Sequence, residues 1–249
     1  MIKYHVTPVG GNNNDVVRFL QGGRHALVSM HRPDQLSVVI ECCESFIIDN
    51  GAFSLWMSGG GNVNLDDYFS FVSANEKYSN FDYYFVPDII GGGFEQNKIM
   101  YNDWFSIKKD KRDAVPVFHL DEPVDWFMEL SENHDKVALG STDKWPKMGG
   151  KGWWDNMANL MNLICDEEGH PPCKLHGLRM LDPEIFKYLP LHSADSSNAA
   201  INGSRLQKVR QYPVPERWQG SEIIAHRIDA HQSAKFWDYE VVKNANKTS

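Results

Sequence analysis

The stretches Lys174-Leu175-His176-Gly177-Leu178 and His192-Ser193-Ala194-Asp195-Ser196-Ser197 each end a short apolar run in small and polar residues. A short helix that begins with proline is predicted between them, over residues 183–188. Together they form a strand–helix–strand unit whose two strands end in an imidazole and a carboxylate. In a parallel barrel, the carboxyl ends of the strands carry the chemistry, so this unit predicts an enzyme of that architecture.

The same pattern recurs along the chain. Strands are predicted at 3–7, 25–30, 45–49, 83–88, 115–119, 136–140, 174–179 and 191–195. Most are continuous apolar runs, which is typical of parallel strands covered by helices. Further helices are predicted at 65–78 (capped by Asn64), 94–109, 124–133, 153–168 and 221–243, and in the last of these Phe236 is expected to pack on the barrel.

This alternation predicts the α/β class, as a single (β/α)₈ TIM-type barrel over residues 1–243 with a frayed tail at 244–249. An open doubly wound sheet is the alternative. That fold usually has a glycine-rich phosphate loop after its first strand, and Gly10-Gly11-Asn12-Asn13-Asn14 lacks the required spacing.

Composition limits the possible functions. The chain has 249 residues and a net charge of −8, which argues against a surface that binds nucleic acid everywhere. Its four cysteines show no metal-binding spacing and are expected to be unpaired thiols, and the N-terminus resembles no signal peptide. We therefore expect a cytoplasmic protein without a membrane segment, a metal or a cofactor.

The strand ends together predict a functional ring. Its members are Asp49, Asp88, His119, Gly140, Ser141, His176 and Asp195. Three carboxylates in one cavity repel one another, so at least one should have a raised pKa while another stays ionised. Such a set supplies an acid or base together with a nucleophile.

Four motifs in this ring resemble the tRNA-guanine transglycosylases. Ile48-Asp49-Asn50-Gly51-Ala52-Phe53 is similar to that family's Asp-Ser-Gly-Gly-Phe motif, and Val86-Pro87-Asp88 to its base-recognising aspartate. Ala138-Leu139-Gly140-Ser141 is similar to a glycine-rich strand end over the base, and Ser193-Ala194-Asp195-Ser196 to the strand with the nucleophilic aspartate. With His176-Gly177, the pattern is closer still to viral relatives that insert 7-deazaguanines into DNA, which would place the protein in the host cytoplasm.

The resemblance implies a role for each residue. Asp195 would attack C1′ and displace guanine, giving a covalent glycosyl–enzyme intermediate. Asp49 would be the general base for the incoming 7-deazaguanine. Asp88 would accept hydrogen bonds from the purine N1–H and 2-amino groups, and His119 would contact O6. Gly140, Ser141 and His176 complete the predicted substrate-binding set, in which His176 has no firmer role than to orient a neighbouring carboxylate.

The resemblance also has departures. The tRNA enzymes carry a zinc site near the C-terminus, and here no cysteine follows Asp195. Asn50 and Ala52 replace small motif residues, and Ser54 stands where glutamine is expected. These differences favour DNA over tRNA as the polymer.

Two basic segments are candidates for contact with phosphates. They supply Lys144, Lys147 and Lys151 after the sixth strand, and Arg205, Lys208 and Arg210 after the eighth. Trp153-Trp154 beside the first segment would either stack on bases or anchor a helix.

Two other functions remain open from the residues alone. A metal-dependent barrel hydrolase would use His119, His176, Asp195 and Asp49 as ligands. A purine-binding module would keep the barrel without the chemistry.

Overall fold

The computed structural model describes residues 1–10, 12–59, 61–140, 142, 144–145, 147–206 and 216–245. The described strands are β1 (Ile2–Thr7), β2 (His25–Ser29), β3 (Phe46–Asp49), β4 (Phe81–Phe85), β5 (Ala114–Val115), β6 (Val117–His119), β7 (Lys136–Gly140), β8 (Lys174–Gly177) and β9 (Ser193–Ser196). The described helices are α1 (Asn13–Leu20), α2 (Leu36–Cys42), α3 (Ala52–Met57), α4 (Leu65–Asn75), α5 (Gly93–Lys108), α6 (Val124–Asn133), α7 (Lys151–Ile164), α8 (Pro183–Phe186), α9 (Asn198–Leu206), α10 (Arg217–Asp229) and α11 (Tyr239–Ala245).

The strands form one parallel sheet in the order β5-β4-β3-β2-β1-β9-β8-β7-β6. Its two outer members, β5 and β6, are the same strand interrupted by Pro116, which has no backbone N–H for the ladder. The Ala138 N–H donates to the Pro116 carbonyl at 2.9 Å, and the Val86 N–H donates to the Val115 carbonyl at 2.9 Å. The sheet therefore closes on itself through residues 114–119. The predicted α/β barrel is confirmed, and the open doubly wound alternative is wrong.

Apolar side chains fill two regions. The larger cluster lies between the barrel and its helices, and it includes Phe19, Trp104, Trp153 and Phe186. The smaller one contains Tyr4, Leu27, Ile47, Tyr83, Phe85, Val115, Val117 and Ala138, contributed by strands β1 to β7. Because strand side chains alternate between faces, the residues two positions after Ile47, Val117 and Ala138 share their inward direction. Those residues are Asp49, His119 and Gly140, which end their strands at the opening called here the mouth.

Several predicted elements are confirmed and two expectations near the C-terminus are wrong. The Asn64 side chain caps α4 by accepting from the backbone N–H groups of residues 66 and 67. The long helix expected at 221–243 is instead two helices, α10 and α11. The chain leaves the helix so that the Trp237 N–H donates to the Gly169 carbonyl at 2.8 Å, and its indole N–H donates to Asn162 at 2.7 Å. Trp237 is 7% exposed and Phe236 is 49% exposed, so Trp237 takes the packing position expected for Phe236.

Other features of the fold bear on the remaining expectations. In the described part of α1, Asn12 forms a capping box with Asp15, so this segment begins a helix. The helix α11 continues to Ala245, and residues 246–249 lie outside the described part of the chain. All four cysteines are unpaired and half-buried. Among the described helices, none is long and apolar enough to span a bilayer.

Candidate active site

Asp195 is anchored through one of its two carboxylate oxygens. His176 Nε2 lies 3.1 Å from Asp195 Oδ1, and the backbone N–H of Arg179 donates to the same oxygen at 3.0 Å. The Leu181 N–H donates to the Asp195 carbonyl at 3.0 Å. The residue is only 3% exposed. The end of β9 and the loop after β8 therefore hold this carboxylate in a fixed orientation.

Asp88 is held through both oxygens, in the segment after β4. Asn50 Nδ2 donates to Asp88 Oδ1 at 2.8 Å, and His119 Nε2 lies 3.0 Å from Asp88 Oδ2. Asn50 is itself fixed, because its Oδ1 accepts from the Ala52 N–H at 2.7 Å and its amide also donates to the Val86 carbonyl at 3.1 Å. The asparagine that departs from the transglycosylase motif thus joins the end of β3 to Asp88.

Glu122 and Gly140 fix the position of His119. Its backbone N–H donates to Glu122 Oε2 at 3.0 Å, and Glu122 Oε1 accepts from Asn97 at 2.8 Å. Burial raises the pKa of Glu122. A Cβ on Gly140 would lie 3.0 Å from Val117 Cγ1 and 3.1 Å from His119 Nδ1, so only glycine leaves this space to the imidazole. Ser141 lies outside the described residues.

Asp49 differs from the other two carboxylates because, among the described residues, no histidine contacts it. The Gly51 N–H donates to its Oδ2 at 3.0 Å, and Ser29 also hydrogen-bonds to it. Burial raises the pKa of Asp49 to about 7, against the Ser29 hydrogen bond, and the negative charges of Asp195 and Asp88 add to the increase. The predicted raised pKa among three mutually repelling carboxylates is therefore found at Asp49, which lies within electrostatic reach of the other two.

His176 lies inside the barrel behind Asp195. It has no exposed surface, so it offers no atom to a ligand in the mouth. Its Nδ1 lies 2.9 Å from the Tyr83 hydroxyl and 2.9 Å from Ser193 Oγ. These contacts favour the orienting role over direct binding of substrate.

The basic candidates lie at different distances from the mouth. Lys144, Lys147 and Lys151 are exposed in the loop after β7 and at the start of α7, on the mouth side of the barrel. Lys144 Nζ lies 3.3 Å from Asp121 Oδ2. Arg205 is in the last turn of α9, roughly 10 Å along the helix axis from its mouth end. Lys208 and Arg210 lie outside the described residues.

Of the aromatic candidates, Trp153 and Trp154 are buried in the core and Phe53 is half-buried. Trp153 and Trp154 are 1% and 5% exposed, so they anchor α7 in the core and do not present a stacking surface. Phe53 is half-buried, and the Arg179 guanidinium lies 3.9 Å from its ring centroid. Arg179 adopts φ 60°, a left-handed conformation that no feature of the sequence predicts.

Sequence reasoning missed several residues that support the site. They are Ser29, Asn50, Tyr83, Asn97, Glu122, Arg179 and Ser193. The sequence could have indicated Ser193, because it precedes Asp195 by two positions on one strand and therefore lies on the same face of the sheet. Within the part of the chain that the structure describes, no three His, Cys, Asp or Glu side chains converge on a common metal position. The two histidines proposed as metal ligands each contact a different carboxylate, Asp88 or Asp195.

Comparison with known proteins shows the fold alone. No family model and no curated sequence matches the chain. Among solved structures, it is similar to a putative fructose-1,6-biphosphate aldolase from Coccidioides immitis, with a TM-score of 0.53, 9% identity, and 92% of this chain and 91% of that chain covered. It is also similar to a mutant tryptophan synthase alpha-subunit from Pyrococcus furiosus, with a TM-score of 0.51, 9% identity, and 92% and 97% covered.

The chain is a TIM-type barrel. Both of these structures carry enzyme names. At 9% identity, they say nothing about the reaction of this chain.

Proposed function

We propose that this protein is a guanine transglycosylase that replaces guanine in a nucleic acid, DNA in preference to tRNA, with a 7-substituted 7-deazaguanine. The observation that carries the proposal is that three carboxylates at one barrel mouth occupy three different environments. Asp195 is held through one oxygen, Asp88 through both, and Asp49 has a raised pKa and no histidine partner. Titratable groups separated in this way by their surroundings take different chemical roles.

The environments support one assignment of roles. Asp88 accepts from Asn50 through Oδ1 and has His119 Nε2 3.0 Å from Oδ2, which favours recognition over attack, since its remaining lone pairs can accept from the N1–H and 2-amino groups of guanine. Asp49 has a pKa of about 7, so it can both give and take a proton near neutral pH. Asp195 is the remaining carboxylate and is the proposed nucleophile. His119, in contact with Asp88, is the proposed partner of the purine O6.

The proposed reaction has two displacements. In the first, an oxygen of Asp195 bonds to C1′ while the C1′–N9 bond breaks, its electron pair stays on the base, and the proton of neutral Asp49 neutralises the departing guanine. In the second, ionised Asp49 removes a proton from the incoming base, whose nitrogen attacks C1′ and releases Asp195. Two inversions at one carbon retain the anomeric configuration.

The polymer must approach a protein of net charge −8. Lys147 and Lys151 give the mouth side a local positive surface, and Lys144 lies beside Asp121 at the same side. A duplex would have to turn the target nucleotide out of its stack to reach Asp195. The preference for DNA rests on the departure from the tRNA enzymes, since no cysteine follows Asp195 to build their zinc-bearing subdomain.

The test is incorporation of radiolabelled guanine and of 7-deazaguanine bases into duplex DNA, single-stranded DNA and tRNA. Wild type should incorporate label, and Asp195→Asn, which keeps the shape of the side chain, should lose at least about 10³-fold in turnover. The exposed Asp135→Asn is the matched control, because it removes one carboxylate directly before β7, at the end of the barrel opposite the mouth. A covalent protein–oligonucleotide adduct on denaturing gels, absent in Asp195→Asn, would identify the intermediate.

Two outcomes would contradict the proposal. No incorporation into any of the three polymers would refute base exchange. Retention of purine binding without turnover, unchanged in Asp195→Asn, would instead identify a binding module.

A further inference from the structure

The barrel interior holds a buried polar group behind Asp195. Tyr83 on β4, His176 on β8 and Ser193 on β9 are buried, and the Tyr83 hydroxyl lies 2.9 Å from His176 Nδ1 and 3.1 Å from Ser193 Oγ. Ser193 Oγ is itself 2.9 Å from His176 Nδ1. The ring centroid of Phe85 lies 4.9 Å from that of His176, so the imidazole is held by packing as well as by hydrogen bonds. None of the three polar residues reaches the mouth.

The contacts define which nitrogen of His176 carries the proton. Asp195 Oδ1 lies 3.1 Å from Nε2, and a carboxylate only accepts, so Nε2 must be the N–H. Burial lowers the pKa of His176, with the Asp195 contact opposing this, which favours the neutral ring. A neutral ring that carries Nε2–H has no proton on Nδ1. Nδ1 then accepts from the hydroxyl of Tyr83 or of Ser193, and these two hydroxyls also contact each other at 3.1 Å. Burial also raises the pKa of Tyr83, which keeps its hydroxyl a donor.

The two donors to Asp195 leave its oxygens inequivalent. The His176 Nε2–H and the Arg179 backbone N–H both point to Oδ1. Among the described residues, no donor is directed at Oδ2. The left-handed backbone of Arg179, at φ 60°, costs about 1 kcal/mol or more for a residue with a side chain, and it belongs to the turn that places this N–H.

We propose that Asp195, together with the Nδ1 contacts of Tyr83 and Ser193, locks His176 as the Nε2–H tautomer in a fixed orientation, so that His176 clamps Asp195 through Oδ1 and presents Oδ2 as the attacking atom. Tyr83, Ser193 and His176 are positioning residues, since none of them touches substrate. The tautomer lock follows from the contact with Asp195 and the burial of His176, and the attack by Oδ2 rests on the proposed function.

In the first displacement, Oδ2 bonds to C1′, the C1′–N9 bond breaks and its electrons remain on guanine, which takes the proton of Asp49. Oδ1 becomes the carbonyl oxygen of the glycosyl ester and keeps both donors. In the second, the incoming base loses a proton to Asp49, its nitrogen bonds to C1′, and the electrons of the Oδ2–C1′ bond return to the carboxylate. His176 keeps its proton throughout, and its Nε2–H group stabilises the carboxylate of Asp195 as this leaves C1′.

The first experiment is ¹⁵N NMR of histidine-labelled protein between about pH 5 and pH 8. The His176 signals, assigned by their loss in His176→Gln, should show the neutral Nε2–H tautomer without titration across this range. In the double variant Tyr83→Phe, Ser193→Ala, Nε2 should stay protonated against Asp195 while the Nδ1 signal moves to that of a nitrogen without a hydrogen bond. Either single variant leaves one hydroxyl on Nδ1 and should move this signal less, and an unchanged Nδ1 signal in the double variant would contradict the lock. A wild-type imidazolium or Nδ1–H tautomer at neutral pH would overturn the lock, whether or not the protein exchanges bases.

The second experiment separates positioning from folding. In the base-exchange assay, His176→Leu should lower kcat by about 10²-fold with KM little changed, the cost typical of a misplaced reacting group. His176→Gln can donate its amide to Oδ1 and should recover about tenfold of that loss. The covalent adduct should occupy a larger fraction of His176→Leu than of wild type, because the leaving carboxylate has lost a donor. Equal losses in the two variants, or an effect on KM alone, would overturn the clamp. Absence of exchange by wild type would overturn the proposed function and the attack by Oδ2, and the NMR result would still decide the tautomer.

Discussion

Replacing Asp49 by asparagine should make the protein more stable at alkaline pH and change it little in acid. The pKa of Asp49 is raised from its ordinary value of 3.8 to about 7 in the folded protein. The folded state therefore binds this proton more tightly than the unfolded chain does. Binding of the proton stabilises the folded state fully below the ordinary pKa of 3.8, and this stabilisation is lost as the pH rises to about 7. Three pKa units correspond to ~4 kcal/mol of unfavourable free energy for the ionised group.

Asparagine removes that cost and keeps most of the hydrogen bonding. Its Oδ1 can accept from the Gly51 N–H and from Ser29, which now contact the carboxylate. Because asparagine does not titrate, the stability of Asp49→Asn relative to wild type should increase by roughly 2–3 kcal/mol between pH 5 and pH 8.

Urea unfolding followed by tryptophan fluorescence at both pH values measures this difference. Asp155→Asn, on the exposed face of α7, is the control and should show no such dependence. A constant difference between Asp49→Asn and wild type at the two pH values would refute the raised pKa. It would also remove the basis for assigning Asp49 as the acid and base.

Three further changes test other parts of the site. Gly140→Ala should destabilise the protein by about 1–3 kcal/mol in urea unfolding, because the new methyl group would crowd His119 Nδ1 at 3.1 Å; an unchanged midpoint would contradict the packing. Asp88→Asn should lower kcat/KM for guanine exchange by about 10²-fold or more, since a buried acceptor is replaced by a donor; equal activity would exclude Asp88 as the purine reader. Lys147→Ala and Lys151→Ala should each reduce the slope of log K against log salt for DNA binding by about 1, and an unchanged slope would place the DNA elsewhere.

The positions of the strands could be predicted because parallel strands buried on both sides are continuous apolar runs. The same rule locates their ends, and hence Asp49, His119, Gly140 and Asp195, since a strand that stops being apolar has reached the edge of the sheet. Local sequence could not predict the break between α10 and α11. That break depends on Trp237 reaching Gly169 and Asn162, which lie far away in the chain.

The residues that hold the site side chains in place could not be predicted either, because their partners are also distant in the chain. Tyr83 and His176 are 93 positions apart and meet only because the barrel closes. Asn50 looks like a mere departure from a motif until Asp88 is seen 2.8 Å from its amide. Residues that only hold others in place have no characteristic spacing, because their partners come from different strands.

The polar group inside the barrel argues for chemistry because it is a poor way to gain stability. TIM-type barrels are ordinarily filled by layers of branched aliphatic side chains. Here the interior of β8 and β9 carries His176, Ser193 and Asp195, and buried groups of this kind are often less stabilising than well-packed apolar residues of similar volume. Tyr83 and Ser193 hydrogen-bond to His176 Nδ1, and His176 contacts the carboxylate of Asp195 through Nε2. Asp195 is therefore the last residue in this series of contacts, at the mouth. Replacing the whole group by aliphatic residues should therefore preserve or raise the stability of the fold, and abolish the proposed base exchange.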